Sequence, residues 1–229
     1  MKKTAIITGV TGNLGKAVAN KLIDEGYYVV GTILNKSVAA DFTKSSFEEV
    51  TLNLLQEENC REFVNGVVER QGEINVAVLT AGGFTMGNIN STSTSDIYKQ
   101  YQLNFETAYN MVRPLFIQMM KQNSGRIFLI GSRAGLNASN AKETVAYSLS
   151  KSLIFRLAEI VNAESKGKNV VTSVIVPSTI DTPQNRESMP KADFSSWVTP
   201  AQIADAILFY SSEKATPVRE PVIRIYNKS

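Results

Sequence analysis

Short apolar runs alternate with longer amphipathic segments along the whole chain, and this alternation restricts the possible folds more than any other feature. Seven apolar runs have the length of strands: TAIITG, YYVVGTI, VTLNL, NVAVLTAGG, GRIFLIGS, NVVTSVIVP and PVIRIY. Near-continuous Val, Ile and Leu is typical of parallel strands covered by helices on both faces. The sequence therefore predicts an α/β fold, a doubly wound parallel sheet of about seven strands joined by right-handed helical crossovers.

Five amphipathic segments are long enough to be helices, over residues 13–25, 57–70, 94–122, 144–166 and 199–212. Pro114 falls inside the third segment and is expected to bend it. Residues 178–198 form the one long irregular stretch, which exceeds a simple connection. No linker or internal repeat divides the sequence, so residues 1–229 are predicted to form a single domain.

Charge and apolar patterning exclude several classes of protein. The net charge is +3 and the basic residues are scattered, so no nucleic-acid partner is expected. No apolar run approaches the ~20 residues of a membrane-spanning helix, and we interpret MKKTAIITGV as a buried strand rather than a signal peptide. Cys60 is the only cysteine. We interpret it as a small helix residue of a cytoplasmic protein without disulfides, and we predict no metal site.

The junction between the first strand and the first helix reads TGVTGNLG, residues 8–15. Gly9 allows a tight turn, Gly12 lets the backbone approach a ligand, and Gly15 lets the helix pack close to the strand. Free N–H groups at a helix start attract a pyrophosphate. A turn that only requires glycine is the alternative, but this position favours the dinucleotide site of a Rossmann-type fold. The predicted contacts here are Gly9, Thr11, Gly12, Asn13, Leu14 and Gly15.

The second strand ends without the acidic residue that binds the ribose hydroxyls of NAD in many dinucleotide sites. Residues 31–37 contain no Asp or Glu, and Lys36 lies near enough to meet a 2′-phosphate. A solvated lysine is the alternative interpretation. The sequence therefore favours NADP as the cofactor and leaves NAD open.

The chain has no histidine, so proton transfer near neutral pH needs another group. In VAYSLSKS, Tyr147 and Lys151 are four residues apart and share one helix face. A cation beside a phenol lowers its pKa from the usual value of about 10. Ser132 follows the fifth strand, and Asn104 lies in the long preceding helix. These polar groups are predicted to converge above a nicotinamide.

With these residues in this order, the chain resembles the short-chain dehydrogenase/reductase family over nearly its whole length. The likeness also rests on the glycine turn, on TAGG after the fourth strand and on VPSTIDTP after the sixth. It implies that Tyr147 is the general acid or base, and that Lys151 lowers its pKa and holds the nicotinamide ribose. It further implies that Ser132, with Tyr147, contacts the substrate carbonyl, and that Asn104 helps to hold a water in the proton relay.

The same resemblance implies further dinucleotide contacts. Asn53 after the third strand is expected to bond the adenine, and the glycines after the fourth strand allow the backbone to approach the ribose. The predicted contacts beyond the first turn are Asn53, Leu54, Ala81, Gly82, Gly83, Tyr147, Lys151, Pro177, Thr179 and Ile180. The chain departs from the family pattern at Asn13, Leu79, Thr80 and Ser178, which leaves its subfamily open.

The segment DTPQNRESMPKADFSSW, residues 181–197, resembles the dihydropteridine reductases within this family. It lies in the stretch 178–198 that covers the substrate in family members. Asn185, Phe194 and Trp197 are predicted to contact a flat substrate ring; the alternative is that they pack the loop onto the body. Dihydropteridine reductases carry an acid after the second strand and lack the serine and asparagine found here as Ser132 and Asn104.

Three functions remain open from the sequence. The first is an NAD(P)H-dependent reductase of a quinonoid dihydropteridine or a similar small conjugated acceptor. The second is a carbonyl or 3-oxoacyl reductase, and the third is a dinucleotide-sensing protein without turnover. The helices around residues 103–120 and 152–161 are apolar over more than one stripe, so a homodimer or homotetramer is also expected.

Overall fold

The computed structural model describes residues 2–35 and 45–228, and in these ranges seven strands form one parallel sheet. The strands are β1 (Thr4–Thr8), β2 (Tyr28–Ile33), β3 (Phe47–Thr51), β4 (Val76–Leu79), β5 (Ser124–Ile130), β6 (Asn169–Pro177) and β7 (Val222–Ile225). Their order across the sheet is β3-β2-β1-β4-β5-β6-β7, and every neighbouring pair is parallel. The predicted fold class is confirmed.

Helices cover both faces of this sheet. They are α1 (Asn13–Asp24), α2 (Glu57–Gln71), α3 (Thr94–Tyr101), α4 (Thr107–Lys121), α5 (Arg133–Leu136), α6 (Val145–Glu164), α7 (Pro183–Ser188) and α8 (Pro200–Ser211). One apolar core packs under α2, α4 and α6 around Met111 and Ile154. The other packs under α1 and α8 around Leu22 and Ile207. Each fully buried side chain of this size contributes roughly 1.5–3 kcal/mol.

The strand order places the functional edge. The chain passes from β3 at one margin of the sheet to β4 beside β1, so the direction of winding reverses between β1 and β4. Ligands of open α/β sheets bind outside the carboxyl ends of the strands at such a switch point. None of the helices in the described ranges is long and apolar enough to cross a membrane.

The helix predicted over residues 94–122 is interrupted, but not at Pro114. Pro114 lies within α4, whereas residues Gln102–Glu106 form a π-helical turn between α3 and α4. The backbone N–H of Thr107 bonds the carbonyl of Gln102, five residues earlier, which is the π-helical spacing. Turns of this kind often occur at functional sites, and this one contains Asn104.

Two other segments differ from the sequence-based expectation. The third strand was expected over residues 50–54 but spans Phe47–Thr51, because Val29 pairs with Phe47 at this margin of the sheet. Residues 178–198 are less irregular than expected. They contain α7 and a single 3₁₀ turn at Phe194–Ser196, and a β-bridge joins Ile180 to Val198.

Candidate active site

The glycine turn has the geometry that its sequence predicts. Gly9 has a φ of +65°, a conformation that favours glycine. A Cβ atom on Gly15 would lie 2.4 Å from the carbonyl oxygen of Gly9, so only glycine allows α1 to start this close to β1. Gly12 is the N-cap of α1 and supplies no side-chain cap. The first N–H groups of α1 are therefore left for a ligand or solvent.

A second contact holds this turn beside β4. The hydroxyl of Thr80 donates to the carbonyl of Thr8 at 2.6 Å, and the N–H of Ala81 donates to the hydroxyl of Thr8 at 3.2 Å. These bonds close the ends of β1 and β4 against each other. Thr80 replaces a residue of the usual family pattern, and here it makes a structural bond.

A cavity of about 400 Å³ opens beside the turn, at the carboxyl ends of β1 to β4. Six predicted cofactor residues line it: Gly9, Thr11, Asn53, Leu54, Ala81 and Gly82. Sequence analysis missed the remaining lining residues, which are Thr32, Ile33, Leu34, Leu52, Leu55, Lys99, Gln102, Leu103 and Thr107. Four of the missed residues follow β4 in the chain and reach the cavity only because the π-helical turn lies across its edge.

Other predicted cofactor residues lie elsewhere along the same edge. Pro177 ends β6, and Thr179 accepts a backbone hydrogen bond from Val198 at 3.0 Å. Ile180 accepts from the side chain of Asn185 at 2.8 Å. Lys36 lies outside the described residues, so its contact with a 2′-phosphate stays a prediction.

Tyr147 and Lys151 lie in the first two turns of α6, as their spacing predicts. The Nζ atom of Lys151 donates to the carbonyl of Ile130 at 2.8 Å and lies 5.9 Å from the centre of the Tyr147 ring. The lysine is only 6% exposed. Burial lowers the pKa of Lys151 to about 8, because the charged ammonium is poorly solvated.

The expected lowering of the Tyr147 pKa by Lys151 is not found. Burial raises the pKa of the phenol above its usual value, and a hydrogen bond with Ser132 acts in the opposite direction. Burial outweighs the effect of this hydrogen bond, so the net shift of the Tyr147 pKa is upward. In this arrangement the phenol is protonated near neutral pH.

Ser132 is buried at the end of β5, where it is the N-cap of the short helix α5. Its hydroxyl oxygen accepts from the N–H of Gly135 at 2.9 Å. This hydroxyl lies close enough to the phenol of Tyr147 to affect its pKa. That the two groups share one substrate oxygen stays a prediction.

The side chain of Asn104 is already occupied by protein groups, which differs from the expected role in holding a water. Its Oδ1 accepts from the N–H of Gly83 at 3.0 Å. Its Nδ2 lies within bonding distance of the Gly83 carbonyl, Gln100 Oε1 and Ser150 Oγ, at 2.9–3.1 Å. Ser150 in turn donates to the carbonyl of Tyr147 at 2.7 Å. The carboxamide thus links the segment after β4 to α6.

The residues predicted to hold a flat ring in segment 178–198 make packing contacts. Trp197 is 6% exposed, and the Phe194 ring lies 4.8 Å from it. The side-chain amide of Asn185 donates a hydrogen bond to the carbonyl of Ile180. These are the contacts of the alternative interpretation, in which the residues pack the loop onto the body; substrate contact by them stays a prediction. The segment also reaches the glycine turn, because Asn13 Nδ2 donates to Gln184 Oε1 at 2.9 Å.

Comparison with known proteins agrees with this fold. The family model described as short chain dehydrogenase matches residues 3–193. A 3-oxoacyl-[acyl-carrier-protein] reductase FabG of Buchnera aphidicola subsp. Acyrthosiphon pisum (strain APS) is 26% identical over 229 residues, with 94% of this chain and 92% of that protein covered. An acetoacetyl-CoA reductase of Acinetobacter sp. (strain RA3849) is 24% identical over 240 residues, with 98% and 96% covered.

Among solved structures, ElxO with NADP bound has a TM-score of 0.89 at 23% identity, with 98% of this chain and 97% of that chain covered. This similarity concerns the fold. The family match spans most of the sequence, from the first strand through the glycine turn and the Tyr147–Lys151 helix into segment 178–198. The chain therefore belongs to the short-chain dehydrogenase family of oxidoreductases.

Proposed function

We propose that the protein is an NADPH-dependent reductase of a small carbonyl substrate, with NADH as the alternative cofactor. The observation that carries this proposal is the position of Tyr147. Its phenol meets Ser132 and lies beside the buried Lys151 at the sheet edge where the cavity opens. A protonated phenol with a hydroxyl and an ammonium beside it is suited to proton transfer to a carbonyl oxygen.

The residues of this chain fit a dinucleotide. The glycine turn leaves the N–H groups of α1 free for a pyrophosphate, and the cavity between Gly9 and Leu103 suits an adenosine. Asn53 and the segment from Ala81 to Gly83 follow strand ends that line this cleft. No carboxylate occurs among Thr32, Ile33, Leu34 and Asn35, the described residues at the end of β2, which supports NADP over NAD.

A bound reduced nicotinamide would supply a hydride to the carbonyl carbon. Tyr147 donates the matching proton to the carbonyl oxygen, and its raised pKa keeps the phenol in the acid form that this step requires. Ser132 donates a hydrogen bond to the same oxygen and stabilises the developing negative charge. Lys151 holds the nicotinamide ribose, and Asn104 positions Gly83 and Ser150.

Reduction of a quinonoid dihydropteridine is the second candidate. It rests on the likeness of residues 181–197 to dihydropteridine reductases. The presence of Ser132 and Asn104 favours the carbonyl substrate instead, as do the 3-oxoacyl and acetoacetyl substrates in the names of the relatives. A purely sensing protein would not need the Tyr147–Lys151 pair. A cytoplasmic location agrees with Cys60, the single cysteine, being buried and free.

Two measurements test the proposal. Titration with NADPH and NADH, followed by nicotinamide fluorescence, should show binding with a preference for NADPH. A panel of a 3-oxoacyl thioester, a simple ketone, a quinone and quinonoid dihydropteridine should then show turnover of a carbonyl substrate.

Tyr147→Phe keeps the ring and removes the proton, so turnover should fall by about 10²–10⁴-fold while dinucleotide affinity stays close to normal. Unchanged turnover in Tyr147→Phe would show that the proton comes from elsewhere.

A further inference from the structure

An aromatic ring that sequence analysis did not select lies against the phenol of Tyr147. The rings of Phe84 and Tyr147 meet edge to face, with their centres 4.9 Å apart and an interplanar angle of 75°. Phe84 is nevertheless 61% exposed. One side of this ring therefore rests on the phenol, and the remainder is open to solvent beside the group that we propose as the proton donor.

The backbone around Phe84 is held at both ends by neighbours of the site. Gly83, just before it, exchanges two hydrogen bonds with the side chain of Asn104. Gly87 donates to the carbonyl of Glu143 at 2.7 Å and accepts from the N–H of Val145 at 2.9 Å. Val145 begins the helix that carries Tyr147. Hydrogen bonds on both sides of Phe84 therefore fix its backbone beside the helix that carries the phenol.

The segment that carries Phe84 is uncharged and exposes two further large apolar side chains. Met86 and Ile89 are 64% and 76% exposed, and no charged residue occurs from Ala81 to Ser95. A large apolar side chain that remains exposed costs hydrophobic free energy unless a ligand or partner covers it. The segment is therefore suited to an apolar substrate surface.

Three cations near the site already have partners. The guanidinium of Arg186 pairs with the carboxylate of Asp181 and lies over the Phe194 ring. Arg133, next to Ser132, lies over the ring of Tyr226 at 5.1 Å. The ammonium of Lys151 is bound to a carbonyl. The exposed ring of Phe84 is therefore available for substrate recognition beside the carbonyl.

We propose that Phe84 is a specificity-determining residue, whose exposed ring stacks on the substrate and makes the enzyme favour ketones that carry a planar conjugated ring next to the carbonyl. The proposal rests on the function proposed above and names its substrate class. Trp197 is less suited to this role, because it is enclosed by its own segment. Stacking with a ring requires a flat substrate, whereas a saturated ring of equal size offers only apolar area.

The kinetic test compares acetophenone with cyclohexyl methyl ketone, which have the same carbonyl and nearly the same size. The readout is the ratio of the two kcat/KM values on one enzyme, in which any effect of a substitution on Tyr147 cancels. Phe84→Leu should lower the acetophenone to cyclohexyl ratio by about two- to tenfold. Phe84→Trp should keep the ratio within about twofold of the original protein. Phe209→Leu, at an exposed phenylalanine of α8, is the matched control and should leave it unchanged.

A binding measurement decides the inference without turnover. Benzamide and cyclohexanecarboxamide imitate the two ketones but are not reduced, and their dissociation constants from the NADPH complex are read from nicotinamide fluorescence. The original protein should prefer benzamide, and Phe84→Leu should lose this preference. The proposal is overturned if Phe84→Leu keeps the original ratio of the two ketone kcat/KM values, or the original ratio of the two amide dissociation constants.

The same experiments separate this inference from the proposed function. Reduction of both ketones with a ratio that ignores Phe84 leaves the function standing and removes the specificity role. If neither ketone is reduced but benzamide binding depends on Phe84, the aromatic subsite stands and the proposed reduction of simple ketones fails. A protein that binds neither dinucleotide overturns both.

Discussion

Lys151 Nζ donates a 2.8 Å hydrogen bond to the carbonyl oxygen of Ile130, the last residue of β5. This contact joins the helix that carries Tyr147 to the strand that leads into Ser132. It also holds a buried ammonium whose pKa lies at about 8. The protonation of one lysine is therefore tied both to the site and to the stability of the fold.

Dinucleotide affinity should depend on the protonation of Lys151. Because burial places its pKa at about 8, the side chain is charged below pH 8 and becomes neutral above it. If the ammonium holds the nicotinamide ribose, NADPH affinity should be constant from pH 6.5 to 7.5 and then fall by up to about tenfold per pH unit. Fluorescence titrations across pH 6.5–9.5 measure this. Lys151→Met should bind more weakly and without the break near pH 8; a wild-type affinity that stays level to pH 9.5 would contradict the assignment.

Lys151→Met should also stabilise the protein near neutral pH. The pKa of Lys151 is about 8 in the folded protein and about 10.5 in the unfolded chain. Between about pH 8 and pH 10.5 the unfolded chain binds more protons at Lys151 than the folded protein does, so this lysine makes the free energy of unfolding rise with pH. The full destabilisation by the buried lysine is present below about pH 8. Urea unfolding should show the variant more stable at pH 7 by up to about 3 kcal/mol, with the difference shrinking towards pH 10. Lys142→Met, at an exposed lysine, should stay within about 0.5 kcal/mol at every pH.

Ser132→Ala should separate the two enzyme candidates. A carbonyl substrate needs the hydroxyl beside its oxygen, so kcat/KM should fall by a factor equivalent to roughly 2–4 kcal/mol, by analogy with the loss of an oxyanion donor. Reduction of a quinonoid dihydropteridine should change little, because its known reductases lack this serine. Ser132 also caps α5, so thermal unfolding must be measured alongside. Ser132→Thr keeps a hydroxyl and should recover most activity; equal losses on both substrates would argue against the assigned role.

Gly15→Ala tests the close approach of α1 to β1. The added Cβ would lie 2.4 Å from the Gly9 carbonyl and 2.9 Å from Thr80 Oγ1, so the turn must shift. We expect a loss of about 1–3 kcal/mol in unfolding free energy, as for overpacking in a core, together with weaker NADPH binding. The matched control is Gly66→Ala within α2, which should gain about 0.5–1 kcal/mol. A Gly15→Ala protein with normal stability and affinity would show that the turn tolerates a side chain.

The outer faces of α4 and α6 should join two copies of the chain. They border an apolar groove of about 470 Å³, and Ile117, Leu153 and Ile160 are exposed along it. Exposed apolar surface of this kind marks an interaction site. Light scattering at micromolar concentration should give a dimer or tetramer, and Ile160→Glu should shift it to a smaller species. The prediction is contradicted if the original protein is a monomer. It is also contradicted if the assembly persists in Ile160→Glu but is lost in Phe209→Glu, a substitution on α8.

Features that depend on local chemistry were predictable from the sequence. The glycine turn is one example, because Gly9 and Gly15 stand where the backbone leaves no room for a side chain. The spacing of Tyr147 and Lys151 is another, because residues four apart share a helix face. The lining of the cavity by Lys99 and Leu103 was not predictable, because it depends on a π-helical turn and on where the sheet order places α3 and α4.

The sequence by itself determined the order of strands and helices, the glycine turn and the identity of the polar groups at the site. The reason is that apolar periodicity, glycine geometry and residue spacing act over short stretches of chain. Only the tertiary structure decided which groups meet. It assigned the Asn104 carboxamide to Gly83 and Ser150 and placed Phe84, not Trp197, as the exposed ring beside Tyr147. These contacts join segments that are far apart in the chain, and their energies depend on burial and packing that no local pattern encodes.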